Sequence, residues 1–279
     1  MQLIPDPFLS SPPFAIMGGM RILDLTLPTP AENLALDEAL LEEAEAAAEP
    51  LETLRFWEPA QNMAVVGRSS YVDNEVHQDA CRELGIPVFR RISGGAAIVT
   101  GPGCLMYALV LSYENYPALI VVKQAHAFVL ETLAKALSTI LPSPDQPSVG
   151  ARRGAGGEGP VGEGVRYCGT SDLALEGMKF SGNSMRSRRR HLLYHGTILY
   201  NFPLEMISRC LKIPPRMPDY RNSRDHMAFI ANLPVPADAI RRALISAWNA
   251  VEPFADWPRE LTSRLAAEKY ANPQWNELL

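Results

Sequence analysis

The segment Gly169–Leu199, GTSDLALEGMKFSGNSMRSRRRHLLYHGTIL, commits the middle of this 279-residue chain to β-structure. Asp172–Leu175 is a short apolar strand, Glu176-Gly177 is a turn, and a second strand carries Lys179 into Ser181-Gly182-Asn183-Ser184. His191–Tyr200 reads as a third strand. Lysine is uncommon in strands unless its ammonium has a destination, because pleated positions favour β-branched and aromatic side chains. Glycine and serine beside it let a carboxylate or phosphate come close to the backbone, within reach of the ammonium. The opposing explanation is an exposed lysine guarding an edge strand.

The rest of the chain sets this segment in an α+β frame. Ala31–Ala48 is rich in Ala, Leu and Glu, with Leu36, Leu40 and Ala44 on one face, and is expected to be a helix. Lys123–Leu141 is a second helix, striped by Phe128, Val129, Thr132, Leu133, Leu137 and Ile140. Leu54–Trp57 and Ala64–Val66 are short strands with a turn between them, and His77–Leu84 is helical. Pro87–Arg91, Ala97–Thr100 and Leu105–Leu111 are three further strands. Leu204–Leu211 and Ala237–Val251 are helices, and Pro258 opens a last one. Pro214-Pro215 and Pro218 hold an extended segment through Tyr220-Arg221. Strands in the middle and helices at the ends imply α+β with a mixed or antiparallel central sheet flanked by helices. No regular βαβ alternation supports a Rossmann fold. Residues 142–166 carry seven glycines between Gly150 and Gly164 and are expected to form a mobile loop.

Several classes are excluded by composition. The charge of −5 argues against non-specific nucleic-acid binding. There is no apolar run of the ~18 residues a membrane helix needs. The N-terminus lacks a basic region and has prolines around its apolar stretch, so residues 1–19 read as a loose leader, not a signal peptide. Cys81, Cys104, Cys168 and Cys210 have no CxxC spacing and read as free thiols of a cytoplasmic protein. No protein-side metal site is expected.

Five constellations carry possible chemistry. In Arg90-Arg91-Ile92-Ser93-Gly94-Gly95-Ala96-Ala97 a strand ends in two arginines and a small-residue turn. Such a turn is either an anion-binding concavity with an arginine clamp or a plain glycine hairpin. Lys179 with Asp172 is the second. Tyr194-His195-Gly196-Thr197 supplies either an acid/base histidine or a structural one. Arg186-Ser187-Arg188-Arg189-Arg190 is most simply a solvated basic turn. Cys168 precedes Lys179 by eleven residues, and a nearby ammonium would favour its thiolate. Neither GxxxxGK[ST] nor GxGxxG occurs, so a nucleotide would need another scheme.

In this order the pieces resemble the lipoate-protein ligase family, in the superfamily of biotin protein ligases and octanoyltransferases. Asn33–Leu41 is similar to the family's opening helix, Arg90–Ala97 to its RRxSGGGAV turn, and Asp172-Leu173 with Lys179–Ser184 to its lysine strand. His195-Gly196-Thr197 is similar to its HGT strand, and Leu265–Tyr270 with Trp275-Asn276 to the end of its catalytic domain. The resemblance spans about residue 20 to the C-terminus. It implies a class II synthetase-like catalytic fold over residues 20–279 without the C-terminal accessory domain of many ligases, which is either absent or supplied by a separate subunit. It implies activation of lipoate, or octanoate, by ATP with Mg2+, then transfer to a lysine of a lipoyl carrier domain, a 2-oxoacid dehydrogenase E2 or a glycine-cleavage H-like protein. Lys179 would bridge carboxylate and α-phosphate. Arg91, Ser93, Gly94, Gly95, Ala96 and Ala97 would wrap the acyl-phosphate. Asp172, Ser181, Gly182, Asn183, Ser184, His195, Gly196 and Thr197 would complete the site. The chain departs from the pattern at Ala96, where the family has a third glycine, and at Thr100, where it often has histidine. Two rivals stay open: an ATP-independent octanoyl or lipoyl transferase with Cys168 as thioester nucleophile, and a non-catalytic subunit.

Overall fold

A computed structural model of the protein describes residues 19–142, 164–214 and 217–277. Nearly all of the expected leader, and all but the ends of the glycine-rich segment, lie outside the described residues. The chain runs β1 (Arg21–Asp24), α1 (Pro30–Ala46), β2 (Thr53–Trp57), β3 (Met63–Val66), α2 (Val72–Glu75), α3 (Gln78–Glu83), β4 (Val88–Arg90) and β5 (Ile98–Thr100). Next come β6 (Cys104–Ser112), α4 (Val122–Ser138), β7 (Val165–Cys168), β8 (Asp172–Leu175), β9 (Met178–Ser187) and β10 (His191–Leu199). Then follow α5 (Glu205–Cys210), α6 (Ala237–Trp248), β11 (Glu252–Pro253), α7 (Arg259–Leu265), a π-helical turn (Ala266–Tyr270) and α8 (Pro273–Asn276).

Eight strands form one mixed sheet in the order β11-β1-β2-β6-β10-β9-β8-β7. It is parallel at β11-β1-β2 and antiparallel from β2 onward. A second sheet has the order β4-β3-β5. The expected α+β architecture with a mixed sheet is therefore present. β6 and β10 are buried along their whole length because both sheet faces are covered. Leu105, Tyr107, Leu109 and Leu111 pack with α4 and α6, while Met106, Ala108 and Val110 join the core beneath α1. Period-two alternation thus divides one apolar run between two cores.

α1 starts where Thr29 caps it. Thr29 Oγ accepts from Glu32 N at 3.2 Å, and Glu32 Oε2 accepts from Thr29 N at 2.9 Å, a reciprocal box typically worth about 1 kcal/mol. α6 ends at Trp248, short of the expected Val251, because Asn249 turns left-handed at φ 47°.

The two short strands expected with a turn between them, β2 and β3, are both present but belong to different sheets. Three expectations are corrected. β4 and β5 lie on opposite sides of β3, so Arg91–Ala97 crosses over an end of β3 and is not a glycine hairpin. Val165-Arg166 open β7 instead of ending a loop. The basic turn is not simply solvated. Arg188 Nη2 meets Glu42 at 3.0 Å, Arg190 donates to the carbonyls of Ala47 and Ala48, and Glu45 accepts from Arg190 N at 2.8 Å. Arginine at the C-terminal end of a helix satisfies its last carbonyls and complements its dipole. Among the described residues no helix is long and apolar enough to cross a membrane.

His126 lies beneath the sheet with Nδ1 2.9 Å from the Tyr194 hydroxyl, and burial lowers its pKa. The unfolded chain binds this proton near pH ~6.5 while the folded chain resists it, so stability is lost as pH falls below that value. The free energy of unfolding is expected to fall between pH 7 and 5, by at most about 1.4 kcal/mol per pH unit from this proton, and His126→Gln to flatten that slope in denaturant titrations.

Candidate active site

Lys179 reaches its position through a register irregularity. In β8–β9, Asp172 pairs with Gly182 and Leu173 with Ser181, but Ala174 pairs with Lys179. Strict alternation from Gly182 would put Phe180, not Lys179, on the Asp172 face. The bulge supplies the missing residue, sends Phe180 into the α4 core and turns Lys179 to the opposite face. There Lys179 Nζ lies 2.7 Å from Asp172 Oδ1. Asp172 Oδ2 accepts from the Tyr220 hydroxyl at 2.8 Å. A Cβ on Gly182 would sit 3.2 Å from both Lys179 Cε and Nζ, so glycine leaves the space the ammonium occupies. The Lys179 backbone is held on its other edge by Phe229 O and Ala231 N, each at 2.9 Å. Lys179 is therefore no edge guard but a fixed cation.

A second chain of polar groups starts on α1. This helix is buried on nearly all sides from Asn33 to Leu41, so Asp37 and Glu38 need internal partners. Glu38 receives Lys269 Nζ at 2.8 Å and the Tyr270 hydroxyl at 2.7 Å. Asp37 Oδ1 accepts from Arg55 Nη1 at 2.5 Å, and Arg55 is fully buried. Asp37 Oδ2 lies 3.2 Å from His195 Nδ1, and His195 Nε2 lies 2.5 Å from Ser93 Oγ. Ser93 Oγ in turn accepts from Arg91 Nε at 3.1 Å. Arginine only donates and an ionised carboxylate only accepts, so the arrangement suits an Nδ1–H donated to Asp37 and an Nε2 bonded to the Ser93 hydroxyl. His195 is thus a filled relay, and both of its ring nitrogens are occupied.

The relay ends under the Gly94-Gly95 turn. Arg91 Nη1 donates to Val65 O at 3.1 Å, and Nη2 to Gly94 O at 2.5 Å and Ala96 O at 3.0 Å. Burial pushes the Arg91 guanidinium down to about 10. Arg90 is spent likewise on the carbonyls of Gly67, Ser70, Trp275 and Asn276. The arginine clamp expected from the sequence is therefore a strut that curls the turn from below. Gly95 takes the left-handed φ of 86°, whereas Ala96 does not, so alanine in place of the third glycine strains nothing. Thr100 is buried away from the turn, with Oγ 3.1 Å from Met106 Sδ.

The other expected residues assemble around the turn in different roles. Ser184 Oγ donates to Gly94 O at 2.7 Å, joining β9 to the loop. Asn183 faces the α4 core, where it accepts from the Tyr107 hydroxyl at 2.6 Å and donates to Ser171 O at 2.8 Å. Gly196 is obligatory opposite it, because any Cβ would overlap the Asn183 amide. Thr197 Oγ is 3.4 Å from Gly182 N.

Between β5, β9 and the segment after α5 lies a slot of about 120 Å³. Its wall includes Val99, Leu199, Ile207, Leu211, Phe229 and Ile230, and Lys179, Ser181, Gly182, Thr197, Ala96 and Ala97 border it. This is small against the ~300–1,000 Å³ of ordinary ligand clefts and suits a slender apolar chain. Cys168 pairs with Asp172 across β7–β8. Burial, then Asp172, raises its thiol pKa, the reverse of the shift expected from a neighbouring ammonium. Arg221 and His226, which also border the slot, Tyr220 on Asp172 and the relay role of Asp37 are absent from the site residues expected from the sequence. Asp37 had a signal, a charge inside the apolar run Leu34–Leu41. The Tyr220 segment had only its prolines.

The model of the lipoyl protein ligase A/B catalytic domain matches residues 29–247, a span holding the turn, Lys179, the relay and the slot. The chain belongs to this family. A putative lipoate-protein ligase A from Aeropyrum pernix is 30% identical over 229 residues, covering 82% of this chain and 74% of that protein. The octanoyltransferase LipM of Carboxydothermus hydrogenoformans is 29% identical over 206 residues, 70% of each. Among solved structures, a bipartite lipoate protein ligase from Thermoplasma acidophilum, described with its E2 lipoyl domain, superposes at a TM-score of 0.74 with 22% identity, covering 94% of this chain and 97% of that one. A lipoate-protein ligase A bound with ATP gives 0.71 and 22%, covering 94% and 100%. The fold of this lipoyl ligase-family chain is thus that of lipoate ligases.

Removing the Asp37 carboxylate would strand the Arg55 charge in the core. Asp37→Ala is expected to cost about 3–5 kcal/mol in chemical denaturation. A loss below about 1 kcal/mol would show that the relay carries little of the fold.

Proposed function

We propose that this chain is a lipoate-protein ligase that activates lipoate or octanoate with ATP and passes the acyl group to a lysine of a lipoyl carrier domain. The observation that carries this reading is a fixed ammonium, Lys179, at a slender apolar slot beside a small-residue turn. The acid would lie with its chain in the slot. Its carboxylate oxygen attacks the α-phosphorus of ATP, taken as the Mg2+ complex, and pyrophosphate leaves. The carrier lysine then attacks the acyl carbon, AMP leaves, and the amine loses its proton as the amide forms. Neither step needs a protein nucleophile. Lys179 would offset the charge growing around phosphorus, and Asp172 would hold its Nζ in place. Gly94, Gly95, Ala96 and Ala97 would wrap the acyl-phosphate, shaped from below by Arg91 and Ser93. Ser181, Gly182 and Thr197 would line the approach, while Asn183, Ser184, His195 and Gly196 keep the strands and turn in register.

The raised Cys168 thiol pKa weighs against a thioester route, which needs thiolate. The family includes proteins named for either activity, so the decisive comparison is chemical. A carrier domain, such as an E2 or H-like protein, is incubated with this chain and lipoate or octanoate, with and without ATP, and weighed by mass spectrometry. An acyl mass gain only with ATP is expected. Lys179→Ala should lower the rate by about 10²–10³, the scale of losing one positioned charge donor, and Cys168→Ser should leave it intact. An ATP-independent transfer from an acylated carrier that Cys168→Ser abolishes would replace this reading with a transferase. Activity that appears only with a second polypeptide would assign the chain to a bipartite enzyme. Lipoate and octanoate are expected to be used within about 10–200-fold of each other, since apolar pockets separate similar chains weakly.

A further inference from the structure

We propose that Arg221 is the carboxylate-binding residue of the slot, gripping the head of the acid beside Lys179. The proposal rests on the acyl-binding reading above and names the group that would recognise its substrate. Arg221 lies in the turn Asp219–Arg221 and is 3% exposed, yet it borders the same slot as Lys179. Its Nε donates to Arg224 O at 2.8 Å, and its guanidinium lies 4.8 Å from the centroid of the Phe229 ring. Among the described residues it makes no ion pair, and its buried Nη2 has no hydrogen-bond partner.

The other cations nearby are already engaged. Lys179 meets Asp172, Lys212 Nζ donates to Asp73 O at 2.5 Å, and Arg91 is spent on carbonyls. A buried guanidinium N–H left unpaired is costly, so the unpartnered Nη2 of Arg221 at an apolar slot calls for an acceptor that binds there. A guanidinium presents parallel N–H groups that match a carboxylate.

The turn is also built rigidly. Asn222 and Ser223 are left-handed at φ 49° and 56°, and Arg224 Nε donates back to Arg221 O at 3.0 Å. Tyr220 beside it donates to Asp172, which holds Lys179. Phe229, under Arg221, accepts from the Lys179 backbone N–H. Ammonium and guanidinium therefore hang from one framework, and an acid held by Arg221 would be presented beside Lys179.

The test is calorimetric binding of octanoate and of neutral octanamide to the full chain without ATP. The unaltered chain is expected to prefer the acid. Arg221→Gln should weaken octanoate binding about 10–100-fold, leave octanamide within about 3-fold, and leave the KM for ATP within about 3-fold. Arg221→Lys, which keeps charge and most of the volume, should recover only part of the loss because it lacks the planar fork. Equal affinity of the unaltered chain for acid and amide would overturn the proposal without any variant. So would an Arg221→Gln protein that binds octanoate normally, loses both ligands equally, or loses ATP instead. If the unaltered chain binds neither ligand, the acyl-binding reading of the slot itself fails.

Discussion

The buried carboxylate of Asp37 is the joint on which the site is hung. One oxygen neutralises Arg55 on β2, and the other orients His195 on β10. Through His195 it reaches Ser93, and through Ser93 the guanidinium of Arg91. A helix, two strands of the large sheet and the turn crossing the small sheet are thereby held by directional bonds. Such a network suits a position that apolar packing alone specifies poorly. Hydrophobic contacts are non-directional, whereas each bond in this chain has one donor and one acceptor. The charges at its ends are confined to low dielectric, where an unpaired member would be expensive. The turn is thus tied to the core of the fold.

The opposite side of the site follows a different rule. Lys179 and Asp172 face each other because β9 carries one extra residue against β8. The bulge allows what regular alternation from Gly182 would forbid, Lys179 on the face of Asp172 with Phe180 buried among apolar side chains on the other. Gly182 then leaves the volume the ammonium fills, and Ser184 closes the distance to Gly94. β9 therefore serves three purposes within a few residues, each set by parity along the strand. Tyr220 adds the last constraint by occupying the second oxygen of Asp172, which leaves that carboxylate little freedom to turn away from Lys179.

Much of this was legible in the chain. The long helices, the β-rich centre and the α+β class follow from apolar periodicity and from where glycine and proline interrupt it. The clustering of Lys179, Ser93–Ala97 and His195 was anticipated because cations beside small residues make poor core and poor turn surface. Less legible were the strands β1, β7 and β11, which have only two to four residues and borrow their pairing from neighbours. The arginines misled for a physical reason. A guanidinium suits a ligand carboxylate and a set of backbone carbonyls equally well, and only the path of β3, β4 and β5 decides which of them it meets. Arg188 and Arg190 were claimed in the same way by the acidic residues and terminal carbonyls of α1.

By itself the sequence determined which stretches could be helix or strand, which faces had to be buried, and that cations and small residues concentrate together in the β-rich half. These are local properties, set by side-chain shape, polarity and spacing along the backbone. The tertiary structure decided which cations remain available and which are consumed. It made Arg90 and Arg91 supports, put His195 in a relay and turned Lys179 onto the face of Asp172. It also brought Arg221 from a distant turn to the same slot. A charge can be read from one residue, but its partner depends on distances between segments far apart in the chain, which exist only once the sheets are assembled.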